Sequence, residues 1–181
     1  MESAYVFKIL LLGDGSVGKT SLIRRFIDNT FDPDYKGTIG VQFMTRKVKI
    51  NEGNVKLVLW DIAGQAKTAS FRHLYYREAE GIILVYDITR KVTFEHLDKW
   101  VLDAIKFTTI DTKIAVLGNK RDLESRRNIP ESDGYKYSNH RSAVIFSETS
   151  AKTGENVENA FVSLAKNIMA SYEYRYGVAK S

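Results

Sequence analysis

The hydrophobic residues of this chain alternate between short continuous runs and stripes at helical spacing. The nearly continuous apolar run at residues 5–12 and the run at 81–87 are typical of strands buried on both faces. Residues 41–50, 55–60, 113–119 and 143–147 are also predicted to form strands. The Asn-Glu-Gly-Asn segment at residues 51–54 predicts a hairpin turn between the second strand and the third.

Between the strands, apolar residues recur every three or four positions and predict amphipathic helices. The predicted helices span residues 19–28, 92–107, 130–137 and 155–172. This order predicts an α/β fold: a six-stranded, mostly parallel sheet with one antiparallel edge hairpin and helices on both faces. Ligands bind such sheets at the carboxyl ends of the strands, so the residues that follow each strand are the candidates for a functional site.

The length of 181 residues fits a single domain. We place that domain at residues 1–172, followed by a flexible tail at residues 173–181 in which the apolar periodicity is lost. The net charge of +5 comes from scattered lysines and arginines, and no cluster is long enough for a nucleic-acid-binding arm. We therefore expect no nucleic-acid partner, and we expect the protein to be a monomer.

The chain has no cysteine, which excludes disulfides, thiolate metal sites and cysteine catalysis. Prenylation and palmitoylation also require cysteine, so the sequence as given carries no lipidation motif. No apolar run reaches the ~18 residues of a membrane-spanning helix, and no signal peptide is visible. We expect a cytoplasmic protein without membrane insertion, whose membrane association would require a lipidated segment beyond this sequence.

The residues that follow the first strand match a phosphate loop. The Gly-Asp-Gly-Ser-Val-Gly-Lys-Thr segment at 13–20 fits the pattern G-x-x-x-x-G-K-[ST] between a strand and a helix. Glycines allow a tight turn whose N–H groups point inward, and the helix adds the positive end of its dipole. We expect the nucleotide phosphates to contact Gly15, Ser16, Val17, Gly18, Lys19, Thr20 and Ser21. Lys19 would reach the outer phosphates and the Thr20 hydroxyl would ligate Mg²⁺, but the loop alone does not distinguish GTP from ATP.

The segment Asn119-Lys120-Arg121-Asp122 follows the fifth predicted strand. The Asp122 carboxylate can accept hydrogen bonds from the N1–H and the amino group of guanine. Adenine lacks this pair of donors, so a buried carboxylate would discriminate against ATP by orders of magnitude. The stem of Lys120 would cover one face of the base, and Asn119 would tie the loops together.

A second polar segment, Ser150-Ala151-Lys152, follows the sixth predicted strand. The Ala151 amide would meet the carbonyl oxygen of guanine, and Lys152 would cover the ribose side. Ser150 belongs to the same predicted base-binding loop. Together with residues 119–122, this loop argues against a P-loop ATPase or a nucleotide kinase.

Two further segments contain residues suited to respond to the γ-phosphate. Asp61 follows the third strand and would hold Mg²⁺ through a water, while Gly64 would approach the γ-phosphate because it has no side chain. Gln65 would orient the attacking water and is the candidate catalytic residue. Thr38, in the loop before the second strand, would complete the Mg²⁺ sphere when a γ-phosphate is present, so hydrolysis would release both loops.

With these motifs the chain resembles a Ras-superfamily small GTPase over about residues 5–172, and within that superfamily it most resembles the Rab family. The Rab-like segments are residues 39–43 (IGVQF), 56–66 (KLVLWDIAGQA), 75–79 (YYREA) and 84–89 (LVYDIT). The resemblance implies the P-loop fold of small G proteins, binding of GTP and GDP with Mg²⁺, slow hydrolysis, and a role in vesicle or membrane trafficking. It also implies effectors, an exchange factor and a GTPase-activating protein that bind the switch loops. By the same resemblance, Phe31 would lie edge-on to the base and Tyr35 would close over the phosphates.

The chain departs from the Rab pattern at Ile62 and Ala66, where Rab proteins usually carry Thr and Glu. These departures keep two alternatives open: a nucleotide-bound scaffold with little hydrolysis, and an unlipidated Ras-like signalling GTPase. Residues 31–37 contain no arginine that would act as an internal finger, so we expect intrinsic hydrolysis on the order of 10⁻⁴ to 10⁻³ s⁻¹, the rate of Ras itself. Outside these motifs, the three histidines lack metal-ligand spacing, and Trp100 is expected to be a packing residue.

Overall fold

The fold is a six-stranded sheet with helices on both faces, seen in a computed structural model that describes residues 5–51, 53–64 and 72–177. The strand order is β2-β3-β1-β4-β5-β6. Strand β2 is antiparallel to β3 and the other neighbouring pairs are parallel, which confirms the predicted α/β fold. The strands are β1 (Tyr5–Leu12), β2 (Val41–Ile50), β3 (Gly53–Ile62), β4 (Gly81–Asp87), β5 (Lys113–Asn119) and β6 (Ile145–Thr149).

The helices connect the strands and cover the sheet. They are α1 (Lys19–Asp28), α2 (Arg72–Tyr76), α3 (Lys91–Glu95), α4 (Leu97–Ala104), α5 (Glu131–His140) and α6 (Val157–Tyr176), with a 3₁₀ helix at Arg121–Arg126. Among these described helices, none is long and apolar enough to cross a membrane.

The hydrophobic core has two layers, one on each face of the sheet. Side chains alternate along β1, so that Ile9 and Leu11 enter the layer beneath α1 and α6 whereas Leu10 and Leu12 enter the other. This two-sided burial explains why the strand is apolar at successive positions. In the first layer, the rings of Phe26 on α1 and Phe161 on α6 stack with centroids 4.5 Å apart.

The single helix predicted over residues 92–107 is wrong, because the structure has two helices, α3 and α4, that meet at His96. The backbone there has φ −82° and ψ −5°, which is right-handed but departs from the angles of a regular α-helix. Helix α4 ends at Ala104, and Phe107 instead packs its ring against His73, with centroids 5.6 Å apart. The apolar spacing continues past the end of α4 because Phe107 contacts α2.

The sixth strand and the last helix also differ from their predicted bounds. Strand β6 lies two residues later than predicted, because its polar residues Glu148 and Thr149 bond to Arg127 and Asn119 and so lack an apolar pattern. Helix α6 continues to Tyr176, beyond its predicted end at Tyr172. The Tyr172 ring packs 5.3 Å from Tyr5 and 4.4 Å from Tyr176, and these contacts continue the helix.

Candidate functional site

A cleft of about 470 Å³ opens at the carboxyl ends of β1, β5 and β6. Its walls contain most of the predicted site residues: Gly15, Ser16, Gly18, Lys19, Thr20, Ser21, Phe31, Tyr35, Thr38, Gly64, Asn119, Lys120, Asp122, Ala151 and Lys152. Three further predicted residues, Val17, Asp61 and Ser150, are fully buried behind this wall. The predicted catalytic residue Gln65 lies outside the described residues.

The phosphate loop turns sharply between β1 and α1. Gly13 and Gly18 have φ of +148° and +100°, and a Cβ at Gly13 would collide with the carbonyl oxygen of Val85. The backbone N–H groups of Ser16 and Val17 donate no hydrogen bond to any described residue. Buried in the loop, Lys19 donates from Nζ to the Gly13 oxygen at 2.7 Å and to the Asp14 oxygen at 2.9 Å. The loop thus presents N–H groups and one ammonium group, which is the chemistry that binds phosphate.

The three predicted metal ligands lie together, although they come from separate parts of the chain. The hydroxyl oxygens of Thr20 and Thr38 are 2.7 Å apart. Both hydroxyls hydrogen-bond to Oδ2 of Asp61, that of Thr38 at 2.9 Å. The Tyr35 hydroxyl lies 2.8 Å from Oγ1 of Thr38 and closes this group on the solvent side.

This oxygen group fits a magnesium ion. Asp61 is fully buried, and its Oδ1 has no hydrogen-bond partner among the described residues. A buried carboxylate oxygen without a partner is costly, and a cation would relieve that cost. Two hydroxyls and one carboxylate are hard oxygen ligands of the kind Mg²⁺ prefers beside phosphate.

Asn119 connects the three loops around the cleft, as its side chain was predicted to do. Its Nδ2 donates to the Val17 oxygen at 2.9 Å. Its Oδ1 accepts from the Thr149 hydroxyl at 3.2 Å and from the Ala151 N–H at 3.3 Å. A Cβ at Gly18 would collide with that Nδ2. The loops at residues 119–122 and 150–152 (the base-side loops) are therefore fixed directly to the phosphate loop.

Asp122 and Lys120 form the polar rim of the cleft above Asn119. The Ser150 hydroxyl donates to Oδ1 of Asp122 at 2.6 Å and fixes that carboxylate. Lys120, with φ +72°, extends its Nζ to within 2.7 Å of Oδ2 of the buried Asp87. The alkyl stem of Lys120 therefore lies along the wall of the cleft, as covering a planar base requires.

Arg25 supports the second base-side loop and was not predicted from the sequence. From α1, its guanidinium donates to the Ala151 oxygen at 2.8 Å and to the Lys152 oxygen at 2.6 Å. The sequence signal was weak, because Arg25 is one of two adjacent arginines in a helix with many polar residues.

The segments before β2 and after β3 contact each other and the phosphate loop. The Ala63 N–H donates to the Gly40 oxygen at 3.0 Å. A Cβ at Gly64 would lie 2.8 Å from the Gly13 oxygen and would also collide with the backbone of Asp14 and Gly15. Gly64 therefore lies directly on the phosphate loop, and its lack of a side chain permits this approach.

A group of contacts to Asp14 was also missed by sequence reasoning. Oδ1 of Asp14 accepts a hydrogen bond from Nε1 of Trp100 at 2.8 Å, and Oδ2 lies 2.7 Å from Nδ1 of His96. Trp100 packs in the core as expected, but both side chains also hold the phosphate loop. The available signal was their spacing of four residues, which places them on one side of consecutive helical turns.

The comparison with protein-family models agrees with this geometry. The model of the Ras family matches residues 8–170, which includes every segment that lines the cleft. Members of this family are small GTPases, which bind GTP, GDP and Mg²⁺ and interact with effectors, exchange factors and GTPase-activating proteins. The phosphate loop, the base-side loops and the oxygen group all fall within the matched residues. The chain therefore belongs to the Ras family of small GTPases.

Proposed function

We propose that this protein is a Rab-like GTPase that binds GTP and GDP with Mg²⁺, hydrolyses GTP slowly and switches two loops between effector-binding and released states. The observation that carries this proposal is the contact of Thr38 with both Thr20 and Asp61. It brings the loop before β2, the start of α1 and the end of β3 to one point beside the phosphate loop. A γ-phosphate bound there would hold the segments before β2 and after β3, and its loss would free them.

In this proposal Lys19 and the loop N–H groups bind the phosphates, while Thr20, Thr38 and Asp61 hold Mg²⁺. The metal would neutralise phosphate charge and orient the nucleotide. Gly64 places its backbone beside the phosphate loop, and Gln65, the next residue, would orient the attacking water. Asp122 would bind guanine, and Phe31 and Tyr35 would enclose the nucleotide from the open side.

A change in base preference is the sharpest test of nucleotide identity. Asp122→Asn replaces a carboxylate that accepts two donors by an amide that offers one acceptor and one donor. Xanthine carries a carbonyl oxygen where guanine has its amino group, so the variant should lose GTP affinity at least about a hundredfold and gain affinity for XTP. Competition against a fluorescent nucleotide measures both affinities.

The matched control is Asp98→Asn on α4, whose carboxylate pairs with Arg141, the residue after α5, rather than facing the cleft. That variant should keep the parent preference for GTP. An Asp122→Asn protein that still prefers GTP over XTP would contradict the proposed base site.

Hydrolysis is tested at Gln65. Gln65→Leu should keep GTP affinity, because the side chain is proposed to contact water rather than nucleotide, and should lower turnover stimulated by a GTPase-activating protein at least about tenfold. Single-turnover release of phosphate with a cognate activating protein measures this. Equal rates for parent and variant would remove Gln65 from the proposed mechanism.

The departure at Ile62 gives no support to the scaffold alternative. Ile62 is fully buried in the core layer beneath α2 and α4, away from the cleft. Its side chain therefore replaces a polar one in the hydrophobic interior rather than at the phosphates. The other departure, Ala66, lies outside the described residues.

The Rab-like part of the proposal rests on an aromatic row. Phe43, Trp60 and Tyr75 belong to three different Rab-like segments, and their ring centroids lie 5.6 Å and 6.0 Å apart in sequence order. Phe43 is 65 % exposed. Trp60 and Tyr75 are partly buried. A partly exposed aromatic row beside two switch segments is suited to bind partner proteins. We therefore propose effectors of vesicle or membrane trafficking that bind this face, and a cytoplasmic site of action.

A further inference from the structure

The carboxylate of Asp14 lies between two hydrogen-bond donors that come from outside the phosphate loop. Nε1 of Trp100 is 2.8 Å from Oδ1, and Nδ1 of His96 is 2.7 Å from Oδ2. The Asp14 side chain is 20 % exposed and that of His96 is 45 % exposed. Each carboxylate oxygen thus has its own donor, and hydrogen bonds to an ionised carboxylate are among the strong ones.

The backbone of the same segment is held by two further side chains. The Asp14 oxygen accepts from Nζ of Lys19 at 2.9 Å, and the Gly15 oxygen accepts from Nη1 of Arg90 at 3.1 Å. Gly64 packs directly against this stretch of backbone. Asp14 is therefore fixed at both its side chain and its backbone, and Gly15 at its backbone, at the point where the segment after β3 meets the phosphate loop.

Packing alone does not explain this arrangement. Trp100 is 3 % exposed and packs with Leu10, Leu12 and Leu97 in the core, which accounts for its indole ring but not for the direction of its N–H. The half-exposed His96 gains little from burial. Asp14 lies between Gly13 and Gly15, which have the freest backbones of all residues, so a side-chain anchor restricts a segment that would otherwise be mobile.

We propose that His96 and Trp100 are positioning residues for nucleotide binding, which act through Asp14. By anchoring its carboxylate they hold the phosphate loop in the conformation that binds the β- and γ-phosphates, and so they slow nucleotide release. The inference rests on the proposed function, because it concerns the same site. It assigns control of phosphate binding to α3, α4 and their junction, which contribute no residue to the wall of the cleft.

The test is a double-mutant cycle on the rate of GDP release, measured with a fluorescent GDP analogue and excess unlabelled GDP in Mg²⁺. Trp100→Phe removes the indole N–H and keeps most of the buried ring, and it should accelerate release about three- to tenfold. His96→Ala should act in the same direction. In an Asp14→Ala background, Trp100→Phe should add less than about twofold, because its partner is already absent.

A second measurement separates positioning from general loosening of the fold. Guanosine has no phosphate, so its affinity, measured by competition, should change less than about twofold in Trp100→Phe while GDP affinity falls. The matched control is Asp98→Ala, because Asp98 lies on the same helix as Trp100 and forms an ion pair with Arg141. This variant should leave the GDP release rate within about twofold of the parent.

The outcomes distinguish a failure of the positioning role from a failure of the proposed function. If the parent protein binds GDP but the effects of Asp14→Ala and Trp100→Phe multiply, or GDP and guanosine weaken equally, the positioning role is overturned. An unchanged release rate in Trp100→Phe and His96→Ala overturns it as well. If the parent protein binds no guanine nucleotide, the proposed function itself fails.

Discussion

At the scale of single residues, the site depends on where a side chain is missing as much as on where one is present. Gly18 has φ +100°, and the amide of Asn119 occupies the place that a Cβ would take. The glycine of the phosphate loop and the asparagine of the base-side loop thus form one contact. This contact joins the phosphate loop to the segment that follows β5.

Gly18→Ala should therefore disrupt the contact between the phosphate loop and Asn119. The collision with Asn119 and the strained φ should lower GDP affinity at least about tenfold, as measured by competition against a fluorescent nucleotide. The matched control is Gly177→Ala, where φ is +60° but no atom of the described residues lies within 4 Å of the new methyl group. That variant should lose only about 1 kcal/mol of stability and keep its nucleotide affinity; equal losses of affinity in both would contradict the collision.

At the scale of elements, the loop after β6 is supported by a buried ion pair. Glu148 on β6 has a side chain that is 1 % exposed, and both its oxygens accept hydrogen bonds from Arg127, at 2.7 Å and 2.6 Å. Hydrogen bonds to Glu148, and then to Glu124, raise the pKa of the Arg127 guanidinium. The base-side loop at residues 150–152 begins two residues after Glu148, so the ion pair of Glu148 with Arg127 fixes the start of that loop.

Arg127→Ala should destabilise the protein by about 3–5 kcal/mol, because it leaves the buried Glu148 carboxylate without its partner. Chemical denaturation followed by circular dichroism measures the free energy of unfolding. Arg121→Ala is the control, since its pair with Glu155 is about half-exposed and should contribute at most about 1 kcal/mol. Similar losses for the two variants would mean that burial of Glu148 is not the cause.

The observed strands and helices also show how much of the fold can be predicted from the sequence. Five of the six strands were predicted at or near their observed positions, and β1 and β4 most clearly, because burial on both faces gives each of them an apolar run. The break at His96 was not predicted, since apolar spacing continues through it, and the contact of His96 with Asp14 joins residues 82 positions apart. Asn119 was predicted to tie the loops together because the motif spacing places it at a strand end, but its partners Val17, Thr149 and Ala151 were not predicted.

At the scale of the whole molecule, the sheet connects two loops that are distant in sequence. Strands β2 and β3 pair from Val41 opposite Ile62 to Ile50 opposite Gly53, so the segments that precede β2 and follow β3 emerge side by side. A hydrogen bond between Thr38 and Asp61 and another between Ala63 and Gly40 join these two segments. A ligand that fixes one segment therefore changes the freedom of the other.

Thr38→Ala should uncouple nucleotide state from partner binding. The variant loses the hydroxyl that is proposed to respond to the γ-phosphate, so capture of GTP-dependent partners should fall at least about tenfold, while GDP affinity changes less than about threefold. Affinity capture from cell extract with proteins loaded with a GTP analogue or GDP, compared by mass spectrometry, measures this.

Thr45→Ala, at an exposed position on β2, is the matched control and should retain the partners of the parent protein. Recovery of the same partners by the parent in both nucleotide states would count against a switch.

The contact between Tyr5 and Tyr172 has a practical consequence for protein engineering. These rings lie 5.3 Å apart at the start of β1, and β1 separates them from the phosphate loop by about 23 Å. A short peptide linker could join residues near these two positions without approaching the cleft. The chain could then be opened at Asn51, in the exposed hairpin, to give a circular permutant whose new termini can carry a pair of fluorophores.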